Sequence, residues 1–364
     1  MTCISELRPR LSWQSEMTKK ITIGLICGGT SGEHEISLIS AYNIQAALDR
    51  EKYNVLLIGI DKNGGWYLGN NQSFWKNVKD VRKISFVTEF PVRLPQRNLT
   101  EAGESGAVLS EVDVFFPITH GKLGEDGALQ GLLELFGKPY VGADVYGSAI
   151  CMDKDLTKRL LREYGIPIAK YRMLRGQEEL NFEDAVQDLG DTLFVKPCRE
   201  GSSLGVSKVR TAEEYREALR EAFAADRKVL VEEAISGREI ECSVLGNDSP
   251  EAASVLGEIA PSHEFYSYEA KYVDEDGADL IVPAGIDLDV SRKIRKTAVE
   301  AFQITECRGM ARIDFFLNSD NSFILNEINT LPGFTNISMY PKLWEASGLS
   351  YPELLDRLID LALE

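Results

Sequence analysis

From Gly309 to Ser338 the chain reads GMARIDFFLNSDNSFILNEINTLPGFTNIS, a segment whose alternation leaves little choice of local structure. Two strand-like runs flank a short polar turn, Asn318 to Ser322, and a loop rich in turn residues follows. Side chains alternate across a strand, so Arg312 and Asp314 share one face, as do Glu327 and Asn329. A hairpin lays the two pairs side by side and gathers two carboxylates, an amide oxygen and a guanidinium on one surface. Such oxygens suit Mg²⁺, which is commonly held by one or two carboxylates and completed by substrate phosphates. Arg312 next to them is suited to stabilise negative charge that develops in a transition state. An ordinary amphipathic hairpin with a charged solvent face gives the same pattern, so this segment alone leaves both readings open.

The chain has 364 residues, more than one hydrophobic core usually serves, and two or three domains are expected. A formal net charge of −17 argues against nucleic acid or an anionic membrane surface as the main partner. No apolar run approaches the length of a membrane span. The cysteines Cys3, Cys27, Cys151, Cys198, Cys242 and Cys307 show no metal-type spacing and read as buried thiols of a reducing cytosol. With His34, His120 and His263 as the only histidines, a His-based zinc site is not expected. Residues 1–18 are expected to be a disordered extension, because MTCISELRPRLSWQSE lacks the pattern of a signal peptide and Met17 opens a more natural start.

Ile21 to Cys27 is a continuous apolar strand that runs into a glycine turn, Gly28 to Gly32, with Glu33 and His34 behind it. A helix from about Ser37 to Leu48 and a strand from Asn54 to Ile60 complete a βαβ unit. Ligands of open α/β sheets sit beyond the carboxyl ends of the strands, where Glu33 falls. Equally, Glu33 reads as an acid favoured by the dipole at a helix start. No G-x-G-x-x-G is present, so a dinucleotide site is not indicated. Val112 to Ile118 reads as a second buried strand ending at His120, and a helix starting near Asp126 carries Leu129, Leu132, Leu133 and Phe136 as core positions. Pro139 to Gly142 reads as a last short strand, and Cys151 to Glu163 as one helical stretch.

A mixed second unit follows, with strands Thr192–Pro197, Leu204–Val209 and Lys228–Glu233 and a helix Ala212–Ala224. The Gly/Ser loop after Lys196, which contains Glu200, Ser202 and Ser203, joins two strands and offers backbone N–H groups to phosphate oxygens. It is not a Walker A loop, because no Lys-Ser/Thr follows its second glycine. Lys154 and Lys196 supply the cations that a triphosphate needs, while Glu232 and Glu239 flank a segment suited to adenine and ribose. Residues 262–280 read as a lid loop rich in tyrosine, with Lys271 at its tip. A helix Val290–Gln303 and a terminal helix Tyr351–Leu363 complete the pattern.

Seven segments stand in one order: GGTSGEHEIS, HGKLGEDGALQG, MDKDLTK, VKPCREGSSLGVSKV, YSYEAKY, MARIDFF and NEINTLPGFTNIS. From about Lys19 to the end they make the chain resemble the D-alanine–D-alanine ligases of the ATP-grasp superfamily. The resemblance implies a mixed α/β (α+β) ATP-grasp fold of three domains, the first Rossmann-like. The expected division is residues 19–142, 143–234 and 235–364. It implies ligation of two D-alanine molecules at the expense of ATP through an acyl phosphate, with ADP and phosphate released, for peptidoglycan precursors. Carried over by motif, Glu33 holds the ammonium of the first D-alanine with His120 nearby, and Ser202 and Tyr272 link with Glu33 to close the lid. Lys154, Lys196, Glu200, Ser203 and Lys271 attend the phosphates, and Glu232 and Glu239 the adenine and ribose. Arg312 and the Gly333 backbone stabilise the oxyanion, and Ser338 binds the second carboxylate. Asp314, Glu327 and Asn329 hold two Mg²⁺ ions, or Mn²⁺ in their place. Tyr272 favours an amine acceptor, since relatives that accept D-lactate depart from tyrosine there. A cytoplasmic homodimer that binds neither nucleic acid nor membrane is the assembly implied.

Overall fold

The computed structural model describes residues 19–69, 73–92, 108–202, 204–261 and 278–364. Its backbone is organised by three sheets. In the first, the strands Ile21–Gly28, Tyr53–Ile60 and Val114–Pro117 run parallel, with Ile21–Gly28 in the middle, and Trp66–Gly69 adds an antiparallel edge. The near-continuous burial of Ile23 to Gly28 is what a parallel sheet covered on both faces requires. The crossover helix spans His34–Ala47 and so begins three residues before the expected Ser37. Gly28 makes the turn possible: its φ is +89°, and a Cβ there would stand 2.2 Å from the Ile60 carbonyl oxygen.

The second sheet orders Tyr171–Leu174, Val229–Glu233, Leu193–Pro197 and Ser207–Val209, all antiparallel. The helices Phe182–Leu189 and Ala212–Ala225 close one side of it around Leu193, Val195 and Val231. The third sheet runs Ala278–Ile281, Gly257–Pro261, Arg238–Gly246, Gly309–Leu317, Phe323–Asn329, again antiparallel, with the helix Leu288–Ile304 packed against it. Its last two strands are the expected hairpin, and its turn closes where Asn318 N–H donates to the Ser322 carbonyl at 2.9 Å.

Several local expectations need correction. Pro139 to Gly142 forms no strand, only a single bridge between Tyr140 and Phe115. The stretch expected as one helix through Glu163 is two helices, Val145–Met152 and Lys154–Glu163. Asp153 breaks it: with ψ at 96° it leaves the helical region, and its carboxylate accepts from Asp155 and Leu156 N–H as an N-cap. The strand expected from Leu204 starts only at Ser207. Strand Tyr171–Leu174 and helices Phe182–Leu189 and Met339–Ala346 carried no signal strong enough to be read. The five cysteines among the described residues are buried and free. Among those residues no helix is long and apolar enough to cross a membrane. The expected extension at 1–18 lies outside the described residues.

One hydrophobic core ties the two ends of the chain together. Ile23, Leu25 and Val114 of the first sheet are continuous with Leu354, Leu355 and Leu358 of the terminal helix Tyr351–Leu363. The aromatic rings of Phe116 and Phe334 meet edge-on within it, 6.2 Å apart. Leu358→Ala is expected to cost about 2–5 kcal/mol through the cavity it leaves, read as a lowered thermal midpoint. Leu363→Ala, at a side chain 43% exposed, is the control, and an equal effect of the two would contradict the shared core.

Candidate active site

The hairpin register carries the first half of the site. Arg312 pairs directly with Asn329 and Asp314 with Glu327, as the alternation requires. On the other flank of the same strand, Glu241 pairs with Asp314 and Ser243 with Arg312. Arg312 grips Asp314 through two bonds, Nε at 2.8 Å and Nη2 at 2.7 Å, and its Nε also lies 3.2 Å from Glu241. Burial alone would lower the Arg312 guanidinium, but Asp314 and Glu241 more than offset this and hold it well above its ordinary value.

The parallel sheet supplies the facing wall. Ser37, on the crossover helix, accepts from Gly28 N–H and donates to the Ile118 carbonyl, which clamps the glycine turn to the end of the neighbouring strand. Glu33, at the N-cap of that helix, is thereby placed in one cavity with His120. His120 is buried, and its Nε2 has no hydrogen-bond partner. Burial, with the Arg312 charge, lowers its pKa against the opposing pull of Glu33, so the imidazole is neutral near pH 7.

This cavity is lined by Glu33, His120, Glu125, Arg312, Glu327, Asn329 and Gly333. A larger cleft of about 720 Å³ opens between the second and third sheets, with Lys196 and Glu232 on one side and Glu239 and Phe316 on the other. The two spaces meet, for Lys154, Glu200, Gly201, Ser202 and Glu327 line both. Lys154 opens its helix at that junction, and its Nζ donates to the Glu200 carbonyl at 2.9 Å. Burial raises the Glu200 carboxyl. Ser202 stands at φ +51° with its Oγ buried and unpartnered. Lys196 is ion-paired with Glu232. Lys158 and Lys196 hold the Glu232 carboxyl below its ordinary value although burial pushes the other way.

Ser338 does not line the cavity itself. Its Oγ sits behind Gly333, 2.8 Å from where a Cβ on that glycine would lie, and accepts from Thr335 N–H at 2.9 Å. Ser203, Lys271 and Tyr272, and most of the expected lid, lie outside the described residues. Among the described residues no three His, Cys, Asp or Glu side chains cluster as a metal site. The donor set is two carboxylates and an amide, Asp314, Glu327 and Asn329, all hard oxygen donors on one hairpin face, and it fits Mg²⁺.

With this geometry in view, comparison with known proteins identifies the lineage. Models of the "D-ala D-ala ligase N-terminus" and "C-terminus" match residues 22–143 and 160–360. The chain belongs to the D-alanine–D-alanine ligase family. A relative named D-alanine–D-alanine ligase A from Escherichia coli (strain K12) is 50% identical over 354 residues, covering 95% of this chain and 96% of its own. A D-Ala:D-Ser ligase structure from Enterococcus faecalis superposes with a TM-score of 0.80 at 34% identity, covering 94% of this chain and 100% of that one. The structure of a D-alanine–D-alanine ligase from Bacillus anthracis complexed with ATP does so at 0.71 and 28%, covering 94% and 98%. The fold is therefore the ATP-grasp fold of that family.

Three members of the constellation escaped the sequence reading, though each had a signal. Glu125 stands inside the HGKLGEDG segment, Lys158 follows Lys154 by one helical turn, and Glu241 shares the strand face of Glu239. Burial, reinforced by Glu33, pushes the Glu125 carboxyl up to about 8, while the Gly121 N–H bond at 2.7 Å opposes it. A carboxyl raised on folding binds its proton more tightly in the native state, so its contribution to stability is lost as pH rises from the ordinary carboxylate range toward 8. Glu125→Gln is expected to remove this loss. Its thermal midpoint should exceed that of the parent by a margin that grows between pH 5 and pH 8, and a margin independent of pH would refute the assignment.

Proposed function

We infer that the protein joins two D-alanine molecules into D-alanyl-D-alanine, with ATP converted to ADP and phosphate. The observation that carries this reading is the junction of the two spaces. A nucleotide-sized cleft runs into a small, charged cavity at Lys154, Glu200 and Glu327, and a phosphoryl group lying there reaches both. Clefts of this size between two sheets are typical of small-molecule sites.

The chemistry needs positioning and charge neutralisation more than a protein nucleophile. Glu33 supplies an anionic partner for the ammonium of the first D-alanine, and neutral His120 lies beside it without adding positive charge. The carboxylate of that D-alanine attacks the terminal phosphate of ATP to give an acyl phosphate, with Lys154 and Lys196 balancing charge on the phosphates. The amine of the second D-alanine then attacks the acyl carbon, and inorganic phosphate leaves. Arg312 and Gly333 both line the small cavity, and in this reading Arg312 and the Gly333 N–H stabilise the oxyanion of that step. Ser338 serves the second carboxylate from behind Gly333. By the family pattern Ser202 and Tyr272 link with Glu33 to close the lid, and Ser203 and Lys271 serve the phosphates. Glu200 lies by the phosphates, and Glu232 and Glu239 receive adenine and ribose. Asp314, Glu327 and Asn329 would hold two Mg²⁺ ions, or Mn²⁺, and bound there the metal neutralises phosphate charge.

In this reading the chain divides into three domains, residues 19–142, 143–234 and 235–364, with residues 262–280 as the lid, and the separation into three sheets supports it. The enzyme works in the cytoplasm as a homodimer and supplies peptidoglycan synthesis.

Incubation with ATP, Mg²⁺ and D-alanine is expected to give D-alanyl-D-alanine by mass and one phosphate per dipeptide. Turnover only when D-serine or D-lactate is added would change the acceptor, and no turnover with any of the three would defeat the reading. Glu327→Ala should reduce dipeptide formation by at least roughly 100-fold, more than the loss of a merely supporting group at a metal site. Near-normal activity at ordinary Mg²⁺ would sink the metal assignment.

A further inference from the structure

Lys158 has no role in the reaction as described above, yet it occupies a costly position. It lies one turn after Lys154, is 2% exposed, and its Nζ stands 3.1 Å from Glu232 Oε1. The other oxygen of Glu232 is held by Lys196, so one buried carboxylate is shared by two ammonium groups. The two lysines differ in freedom. Lys196 lines the larger cleft with its side chain 11% exposed, whereas Lys158 is enclosed, with the Tyr171 ring centroid 5.7 Å from its Nζ. Lys158 Nζ and Glu232 Oε1 thus form a buried ion pair that solvent does not reach.

We propose that Lys158 is a positioning residue, the permanent counter-ion of Glu232 that frees Lys196 to turn from that carboxylate to the nucleotide phosphates. This rests on reading the larger cleft as the nucleotide site. A buried carboxylate stripped of its only cation is strongly destabilised. Were Lys196 its sole partner, every nucleotide that drew Lys196 away would bear that cost. With Lys158 in place the carboxylate stays compensated, and Lys196 exchanges one anion for another. Burial and the neighbouring Lys196 and Lys154 draw the Lys158 ammonium below its ordinary value, while Glu232 opposes them. These three groups are the charged neighbours that set its state.

The test is a double-mutant cycle read on nucleotide affinity, using calorimetry with a non-hydrolysable ATP analogue, alongside KM and kcat for ATP. Lys158→Met is expected to weaken analogue binding and raise the KM for ATP about tenfold, with kcat within about threefold. In a Glu232→Gln background, which has its own lower affinity, the same Lys158 change should alter binding by no more than about twofold. A tenfold loss in both backgrounds, or a fall in kcat with KM unchanged, overturns the proposal. Should Lys158→Met fail to fold, Lys196→Met decides: with Lys158 retained as counter-ion its thermal midpoint should stay within a few degrees of the parent. A collapse like that of Lys158→Met would mean that neither lysine is spare and would overturn the proposal. Analogue binding does not depend on the acceptor, so an absent dipeptide would defeat the ligase reading while leaving this one to stand or fall on affinity.

Discussion

The site depends on the register of one strand. Gly309–Leu317 is held between Arg238–Gly246 and Phe323–Asn329, and this pairing lines up Glu241, Asp314 and Glu327 in one row across the sheet, with Ser243, Arg312 and Asn329 in the next. A slip of one residue would carry every one of these side chains to the opposite face, where Ile313 and Phe315 are packed into the core. The polar row and the apolar row therefore enforce each other. Arg312 completes the arrangement by spanning Asp314 and Glu241, so like charges brought together by the sheet are neutralised within it.

Charge balance at short range explains much of the rest. The chain is strongly acidic overall, yet the cleft that would receive the most anionic reactant carries Lys154 and Lys196 on its lining. Their counter-charges are buried carboxylates or backbone carbonyls rather than solvent. Cations held in such a partly enclosed setting act more strongly than in open water. A second network serves the same end at the helix start. Lys228 bridges Asp153 and Asp155, and Asp153 in turn caps the helix that begins at Lys154. Lys154 is thereby placed by its backbone as well as by its side chain.

Much of this is legible in the sequence, for a physical reason. Strand alternation has a period of two, so Arg312, Asp314, Glu327 and Asn329 could be assigned to one face from spacing alone, and the pairing bears this out. What alternation hid was the irregularity between them. Asp314 faces Glu327 but Phe315 faces Leu325, so Asn326 is an extra residue, a bulge that turns it toward the larger cleft. Nothing local marks such a bulge. The break at Asp153 was missed differently. Its neighbours favour helix, and the break comes with capping bonds from Asp155 and Leu156 to the Asp153 carboxylate, which Lys228 also holds. For Lys158 and Glu125 the sequence offers only position, beside Lys154 and within HGKLGEDG, because burial and partners from distant segments give them their electrostatic character.

The core that joins Ile23, Leu25 and Val114 to Leu354, Leu355 and Leu358 has a bearing on biosynthesis. A chain emerging from the ribosome presents its first strands long before its last helix, and domains formed from contiguous sequence generally fold as they appear. Here the first parallel sheet would have to wait. Until Tyr351–Leu363 is released, the face that this helix covers has no partner, and apolar surface that stays uncovered during synthesis is the kind that chaperones recognise or that aggregates. A helix made late thus seals a sheet made early.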